Sequence, residues 1–244
     1  MLDFLKHKRK KKNSLTDKNE SGPLFALNDS RSPVAEAFRT LRTNIGFASV
    51  DSLVRVILVT SPVPEDGKST VVANLALVMA QAGNRVLLLD ADLRKPTQQN
   101  IFQAINNKGL VNVLVQGEKL SEVIQPVAIG GVDLVTSGPI PPNPSELLTS
   151  DKFSEFLSDA REKYDIILID SPPVILVTDP VLLASLVDGV ILVINAGSTK
   201  IDLINSALDQ LKKSSGRILG VVLNDVKSNA GYYNYNYYYL ESGK

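Results

Sequence analysis

The 244-residue sequence predicts an α/β fold in which a doubly wound, mostly parallel β-sheet has helices on both faces. Short continuous apolar runs recur along the chain, and such runs are typical of strands buried on both sides of a parallel sheet. Segments with helical periodicity lie between them, as the connections of a parallel sheet require. A hydrophobic content of 44% is sufficient for one full core.

The predicted elements alternate from residue 33 onward. Ser32 is a favourable N-cap and Pro33 suits a first helical turn, so a helix is expected over residues 33–42. Gly83 is expected to end the helix that begins at Lys68. The predicted strands cover residues 54–60, 86–89, 132–136, 165–170, 189–194 and 218–224. The further predicted helices cover residues 68–82, 110–115, 145–148, 152–162, 179–187 and 200–213.

Composition argues against several classes of function. A formal net charge of zero disfavours nucleic acid as the main partner. The chain has no cysteine and a single histidine, His7, so neither a thiolate metal site nor a histidine-based catalytic dyad is expected. No segment approaches the roughly 20 apolar residues that span a bilayer, so we expect a cytoplasmic protein.

The chain is expected to have three parts. Residues 1–30 are predicted to be a basic flexible arm, because the stretch from Lys6 to Lys12 holds six of the 26 basic residues. This arm is either a soluble extension or a segment attracted weakly to anionic lipid. Residues 31–227 form the predicted α/β domain, and residues 228–244 form a tyrosine-rich tail.

A phosphate-binding loop is predicted between the first strand and its helix. Gly67, Lys68 and Ser69 form the signature of a Walker A loop, in which backbone N–H groups at a helix N-terminus hold phosphate oxygens. Lys68 is expected to contact the β and γ phosphates and Ser69 to ligate Mg²⁺. The sequence therefore predicts a P-loop NTPase that binds ATP and Mg²⁺. Its predicted nucleotide-binding residues are Pro64, Glu65, Asp66, Gly67, Lys68, Ser69 and Thr70.

This loop has a deviant Walker sequence. Pro62 occupies the position at which the first glycine is usual, and Glu65 and Asp66 bring two carboxylates close to the expected phosphates. Both side chains could point outward, so that only backbone N–H groups face the ligand. The alternative interpretation is an ordinary strand-to-helix turn that has lost its nucleotide.

Three aspartates lie at or just beyond the ends of two predicted strands: Asp90, Asp92 and Asp170. Carboxylates at the C-terminal ends of parallel strands face the crevice in which open α/β sheets bind ligands. Asp170 is expected to be the Walker B acid that organises Mg²⁺, with Asp92 as a further ligand beside Ser69. Asp90 is placed to accept the proton of an attacking hydroxyl or to hold the metal's water shell. These three acids and Lys68 are the predicted catalytic residues.

Six of the seven tyrosines lie within eight residues of the tail. They are Tyr232, Tyr233, Tyr235, Tyr237, Tyr238 and Tyr239. Core aromatics recur at helix or strand spacing among aliphatic residues, whereas only asparagine separates these rings. Beside a phosphate-transfer site, the tail is interpreted as the substrate of a kinase. The alternative is a low-complexity segment that merely self-associates.

These motifs together resemble the bacterial tyrosine kinases of the capsular and exopolysaccharide type. The resemblance rests on the loop at 64–70, the Leu-Leu-Asp-Ala-Asp-Leu-Arg-Lys-Pro sequence at 88–96, the Asp-Ser-Pro-Pro sequence at 170–173 and the tyrosine cluster. Members usually have glycine at the position of Glu65. The resemblance implies an ATP- and Mg²⁺-dependent protein-tyrosine kinase that phosphorylates its own tail.

The resemblance also implies an assembly and partners. Such kinases form rings in which one subunit's tail enters a neighbour's active site, and phosphorylation loosens the ring. The short stretch after Asp225, at about 3.3 to 3.6 Å per residue, is expected to favour the neighbour's site. In the split, Gram-positive members a membrane-anchored activator supplies a cytoplasmic segment. We therefore expect recruitment to the inner membrane face, a cognate tyrosine phosphatase, and control of polysaccharide synthesis or export.

One helical face carries a predicted oligomerisation motif. Glu36, Arg39 and Arg42 recur every three residues and therefore share a face of the first predicted helix. Taken alone, they would be a solvated face with weak intrahelical pairs. The resemblance assigns them instead to contacts between subunits.

Two other functions stay open on these residues. A switch ATPase like the division-site and plasmid-partitioning proteins shares the fold and the acidic strand ends. Such proteins typically have a lysine at the position of Val63 and lack a tyrosine tail. The other hypothesis is a non-enzymatic scaffold that binds nucleotide weakly because of Glu65 and Asp66.

Overall fold

A seven-stranded sheet lies at the centre of the computed structural model, which describes residues 23–28, 30–48, 53–127, 130–214 and 216–226. Its strands are β1 (Val56–Thr60), β2 (Val86–Asp90), β3 (Gln125–Pro126), β4 (Val132–Val135), β5 (Ile166–Asp170), β6 (Gly189–Asn195) and β7 (Ile218–Asn224). They lie in the order β3-β4-β2-β5-β1-β6-β7. The short strand β3 pairs antiparallel with β4, and all other neighbouring pairs are parallel.

The helices connect these strands and cover both faces of the sheet. They are α1 (Phe25–Asn28), α2 (Pro33–Ala48), α3 (Lys68–Gln81), α4 (Gln98–Ile101), α5 (Leu110–Gln116), α6 (Leu120–Val123), α7 (Pro144–Leu148), α8 (Asp151–Lys163), α9 (Asp179–Ala184) and α10 (Ile201–Lys213). The architecture confirms the predicted doubly wound, mostly parallel α/β fold.

Two hydrophobic clusters lie on opposite faces of the sheet, because successive strand residues point to opposite sides. Leu87 and Leu89 of β2 pack in the cluster that includes Phe153 of α8. Leu88, between them, packs in the other cluster with Leu75 of α3. Helix α3 is apolar around most of its circumference, as a helix enclosed between the sheet and a further helical layer requires.

The six predicted strands all occur, with ends that differ from the predictions by at most two residues. Helix α2 is longer than expected and ends at Ala48. Its predicted N-cap is confirmed, because the Ala35 N–H donates to the Ser32 hydroxyl at 3.1 Å. The elements missed by the sequence analysis are α1, α4, α6 and β3. Each has four residues or fewer, which is too short to establish a period.

Residues 23–28 pack against the domain, although the predicted arm extends to residue 30. Leu24 and Ala26 are buried in the cluster around α3. The side-chain amide of Asn74 in α3 accepts from the Ala26 N–H at 2.9 Å and donates to the Pro23 carbonyl at 2.8 Å. The packed domain therefore begins before the predicted boundary.

The basic run from Lys6 to Lys12 and the six tail tyrosines lie outside the described residues. Among the helices that the structure describes, none combines the length and the apolar character needed to cross a bilayer.

Candidate phosphoryl-transfer site

Strand order brings the predicted motifs to one edge of the sheet. Strand β5 lies between β1 and β2, so the loop after β1, the acid that ends β2 and the acid that ends β5 are neighbours. Asp90 and Asp170 are register partners across the pair of β2 and β5. The acids and the loop therefore occupy the carboxyl end of the sheet, where open α/β folds bind ligands.

The loop makes a tight left-handed turn into α3. Gly67 has a φ of 91°, and a Cβ at this position would lie 2.0 Å from the side-chain nitrogen of Asn224. Both the conformation and the close approach of Asn224 therefore require glycine. Glu65 also has a positive φ, of 68°, in a conformation that non-glycine residues rarely adopt. This conformation gives a physical reason for the glycine that is usual at that position in the resembled family.

The two loop carboxylates behave differently. Glu65 is exposed, as expected for an outward-pointing side chain. Asp66 is buried, and its carboxylate accepts from the Thr199 hydroxyl at 2.6 Å and from the Val63 N–H at 3.3 Å. Its own carbonyl accepts from Asn224 at 3.0 Å. The carboxylate therefore anchors the loop to the segment that follows β6, and the backbone carbonyl ties it to the end of β7.

Lys68 links the loop to the two strand-end acids. Its Nζ lies 3.0 Å from Ser69 Oγ, 3.2 Å from Asp92 Oδ2 and 3.4 Å from Asp170 Oδ1. Burial opposes the positive charge on Lys68, but the carboxylates of Asp170 and Asp92 outweigh burial, and the pKa of Lys68 is raised. The structure thus brings Ser69, Asp92 and Asp170 together around the charged amine of Lys68.

Asp90 is buried, in a different environment from Asp92 and Asp170. One carboxylate oxygen accepts from the Asp92 N–H at 3.2 Å, and the other from the N–H groups of Thr97 and Gln98 at 3.0 and 2.9 Å. Burial first, and then the charge of Asp170, raises the pKa of Asp90 to about 8 against the effect of these amides. Asp90 therefore holds the turn that carries Asp92.

A cavity of about 330 Å³ opens beside this cluster. Four of its lining residues form an apolar wall: Pro172, Pro173, Leu176 and Val177. The other lining residues are Pro64, Glu65, Gly67, Lys68, Ser69, Thr70, Asp92, Arg94, Lys95 and Thr97. Six of the seven predicted nucleotide-binding residues thus line it, whereas Asp66, Asp90 and Asp170 do not. A larger hollow of about 710 Å³ between α9 and α10 contains none of the motif residues, so we assign the site by its chemistry and not by volume.

Arg94 is a cavity-lining residue to which the sequence analysis gave no role. Its guanidinium donates to the fully buried carboxylate of Asp179 at 2.8 and 3.1 Å. The hydroxyl of Ser145 donates to the same carboxylate at 2.5 Å. This network fixes one side of the cavity mouth, and the contacting residues are too distant in sequence to be matched without the fold.

The residues present fit a hydrated magnesium ion. In the part of the chain that the structure describes, no group of three or more Asp, Glu, His or Cys side chains is arranged to hold a metal by itself. Mg²⁺ is normally held by one or two carboxylates together with waters and substrate phosphates. The hard oxygen donors of Ser69, Asp92 and Asp170, gathered within reach of one lysine amine, meet that requirement.

The predicted oligomerisation residues make contacts within the chain. Arg39 pairs with Glu36 at 2.8 Å and also donates to the Ser30 carbonyl. Arg42 donates to the Val78 carbonyl near the end of α3, at 3.0 Å. Glu36 is the more exposed partner of the Arg39–Glu36 pair, with 59% of its side-chain surface accessible against 31% for Arg39.

Comparison with known proteins places the chain in a family. Residues 55–218 match the model of a family described as an AAA domain. The tyrosine-protein kinase YwqD of Bacillus subtilis is 40% identical over 229 residues, which cover 92% of this chain and 95% of YwqD. The chain belongs to the bacterial tyrosine kinases. The sequence-based prediction of a protein-tyrosine kinase is thereby confirmed.

Comparison with solved structures agrees with the assignment of this chain to the bacterial tyrosine kinases. The chimerical protein CapA2B2 has 40% sequence identity and a TM-score of 0.82, over 84% of the kinase and 91% of CapA2B2. The septum site-determining protein MinD of Pyrococcus horikoshii, solved with Mg-ADP, has 27% identity and a TM-score of 0.58 over 69% of each chain. The kinase therefore shares the switch-ATPase fold, but its similarity to CapA2B2 extends over more of its length.

Proposed function

We propose that this kinase transfers the γ-phosphoryl group of ATP to the tyrosines of its own C-terminal tail. The observation that carries this proposal is the convergence of Lys68, Ser69, Asp92 and Asp170 beside one cavity at the ends of neighbouring strands. The tyrosine cluster supplies an acceptor within the same chain.

Phosphoryl transfer depends mainly on positioning and charge neutralisation. The loop N–H groups and Lys68 would hold the β and γ phosphates, so Lys68 would exchange its contacts with Asp92 and Asp170 for phosphate oxygens. Ser69 and the same two acids would hold Mg²⁺, which supplies further positive charge to the phosphates. Asp90 would accept the phenol proton once the turn over its carboxylate opens.

Transfer between subunits of a ring is the route that we propose. Four strand spacings, about 19 Å, separate the ends of β2 and β7 across the sheet. The eight residues that follow Asn224, up to and including Tyr232, extend over at most about 29 Å, so chain length alone permits a tail to reach its own site. The sequence-based reach argument therefore does not decide between the routes, and the proposal rests on the family resemblance.

The cellular role proposed here is control of capsular or exopolysaccharide synthesis or export. A membrane-anchored activator would recruit the kinase to the inner membrane face, and a cognate tyrosine phosphatase would reverse the modification. Each added phosphate brings a charge of about −1.5 to −2, so phosphorylated tails gathered at acidic sites would repel one another and loosen a ring.

The proposal is tested by incubating purified kinase with Mg-ATP, with and without an activator segment, and locating phosphate by mass spectrometry. We expect phosphate on the tail tyrosines, and its loss in Lys68→Met. Lys152→Met, on the exposed face of α8, serves as the matched control and keeps the phosphate. ATP hydrolysis without tail phosphate under both conditions would instead support the switch ATPase. Failure to bind any nucleotide would support the scaffold.

Transfer between subunits is tested by mixing an inactive chain that has the tail with an active chain that lacks it. A Lys68→Met chain keeps the tail but lacks the essential amine, and a chain truncated after Val226 keeps the site but lacks the tail. We expect the mixture to place phosphate on the Lys68→Met tail. Two results together would contradict transfer between subunits. One is a wild-type phosphorylation rate that is first order in protein concentration, and the other is the absence of phosphate from this mixture.

A further inference from the structure

Gln98, the first residue of α4, touches all three motifs of the site and is fully buried. We infer that Gln98 is a positioning residue that holds the carboxylate of Asp170 in the orientation required for Mg²⁺ binding. The inference rests on the proposed function, because it concerns the metal site of the phosphoryl-transfer reaction. Neither the motifs nor the family resemblance pointed to this residue.

The side-chain amide of Gln98 bridges two motifs. Its Nε2 donates to Asp170 Oδ2 at 2.7 Å and to the Ser69 carbonyl at 3.1 Å. Both partners are acceptors, so the orientation of the amide is fixed by its hydrogen bonds: a flipped amide would bring its oxygen against a carboxylate. Ser69 belongs to the phosphate loop and Asp170 to β5, so the bridge ties the loop to the acid.

The backbone of Gln98 reaches the third motif. Its N–H donates to Asp90 Oδ2 at 2.9 Å, and Asp90 is the register partner of Asp170 on the adjacent strand. Two buried carboxylates side by side repel each other, and Gln98 donates one hydrogen bond to each. Because Nε2 binds Oδ2 of Asp170, the other oxygen, Oδ1, is directed toward Lys68 at 3.4 Å. Oδ1 is therefore the oxygen available to a cation that replaces the lysine.

The rest of the Gln98 side chain argues against a purely space-filling role. Its Oε1 is buried and, within the described residues, has no hydrogen-bond partner. A buried carbonyl oxygen without a donor is unfavourable, and an apolar side chain of the same length would avoid this cost. The donor contacts of Nε2 offset it, which is the pattern expected of a residue that orients a metal ligand.

The test compares Gln98→Met, which keeps the length and removes the donor, with Gln99→Met on the same short helix. Gln99 is partly buried and its amide donates to the Pro96 carbonyl, so the control also removes an amide from α4. ADP affinity is measured by calorimetry with and without Mg²⁺. Mg²⁺ should increase ADP affinity about 10- to 100-fold less in Gln98→Met than in the wild type. The ADP affinity of Gln98→Met without Mg²⁺ should be unchanged. Gln99→Met should keep both wild-type affinities.

Equal Mg²⁺ dependence in the wild type and a folded Gln98→Met would overturn the inference. If that variant does not fold, Gln98→Leu removes the donor with a smaller apolar side chain. Wild-type Mg²⁺ dependence in Gln98→Leu would overturn the inference equally. Because binding is measured with ADP, the result stands apart from tail phosphorylation: a wild type that binds Mg-ADP but leaves the tail unmodified would refute the proposed function alone.

Discussion

Glu65 shows how a single residue can conflict with the backbone that its loop requires. It adopts a φ of 68°, two residues before Gly67, which adopts 91°. The left-handed conformation costs a non-glycine residue roughly 1 to 2 kcal/mol. The surrounding loop holds the conformation, because Asp66 is anchored by Thr199 and Asn224. Glu65 therefore combines backbone strain with an exposed negative charge on a residue that lines the proposed nucleotide cavity.

Glu65→Gly should relieve both effects. Stability should rise by up to about 1 kcal/mol, since the relief of strain exceeds the added entropy of the unfolded chain. ATP affinity should also increase, because a negative charge near the proposed phosphate site is removed. Thermal unfolding and ATP titration measure the two changes. Glu65→Gln is the control that removes the charge and keeps the strain, so it should raise affinity without raising stability. A less stable Glu65→Gly would contradict the strain argument.

Asp90 and Asp92 lie two residues apart but have different surroundings, and their asparagine variants should separate their roles. Asp90→Asn should lower the rate of tail phosphorylation by about 10²- to 10⁴-fold with nucleotide binding retained, as expected for loss of a general base. Asp92→Asn should weaken the Mg²⁺-dependent part of nucleotide binding. Phosphorylation rates and ADP affinities, measured for both variants, decide which aspartate is the base and which is the metal ligand. The opposite assignment, with Asp92→Asn losing rate and Asp90→Asn nearly normal, would transfer the base to the acid that lines the cavity.

At the scale of secondary-structure elements, Asp188 ties the start of β6 to β1 and α8. Its carboxylate accepts from the N–H groups of Arg55 and Val56 at 2.9 and 2.8 Å, and from both terminal nitrogens of the Arg161 guanidinium at 2.9 and 2.8 Å. Partial burial would raise the pKa of Asp188, but the Arg161 guanidinium and the two amides outweigh burial and lower it. The ionised form is therefore favoured by folding.

Asp188→Asn should destabilise the kinase by about 1 to 3 kcal/mol at pH 7, because charged hydrogen bonds to Arg161 are lost. A lowered folded-state pKa gives stability that is present above the unfolded value, about 3.9, and is lost as pH falls through the folded value. The difference in unfolding free energy between the wild type and the variant should therefore shrink below about pH 4. Denaturant unfolding at several pH values measures it. Asp209→Asn, at an exposed helical pair, should show little effect at any pH. A gap that widened in acid would contradict the assignment.

At the scale of the whole molecule, α2 covers α3 and presents the predicted oligomerisation face. Arg42 already bonds α3 within the chain, whereas Glu36 retains much of its exposure. The structure of one chain is thus compatible with two roles for this face, namely packing within the chain and contact between chains. A mass measurement distinguishes these roles.

The triple variant Glu36→Ala, Arg39→Ala, Arg42→Ala should form smaller particles than the wild type in light scattering. The expected cause is loss of charged contacts between subunits. Asn44→Ala, which is exposed on the same helix, is the matched control and should keep the wild-type mass. Thermal unfolding of the triple variant reports the separate loss of the Arg42 contact with α3. An unchanged mass with a lowered unfolding temperature would leave these residues with a packing role only.

Local chemistry in the sequence was sufficient for much of this protein. Apolar runs and caps determined the main strands and helices, and the Gly-Lys-Ser signature with three strand-end aspartates determined which residues to examine at the site. Each of these signals is contained in a few consecutive residues, because a buried strand or a phosphate-binding turn constrains its own composition.

Tertiary structure decided the relations between these segments. Insertion of β5 between β1 and β2 made Asp170 the neighbour of Asp90, and the pairing of β6 with β1 brought Thr199 to Asp66. The fold also placed Gln98 where it donates to both acids. Sequence patterns could not reveal the contacts with Asp170 and Thr199, because Gln98 lies 72 residues from Asp170 and Thr199 lies 133 residues from Asp66. The sequence alone determined which chemical groups the kinase carries. Only the packed sheet decided which groups meet, since strand order and burial depend on the whole core.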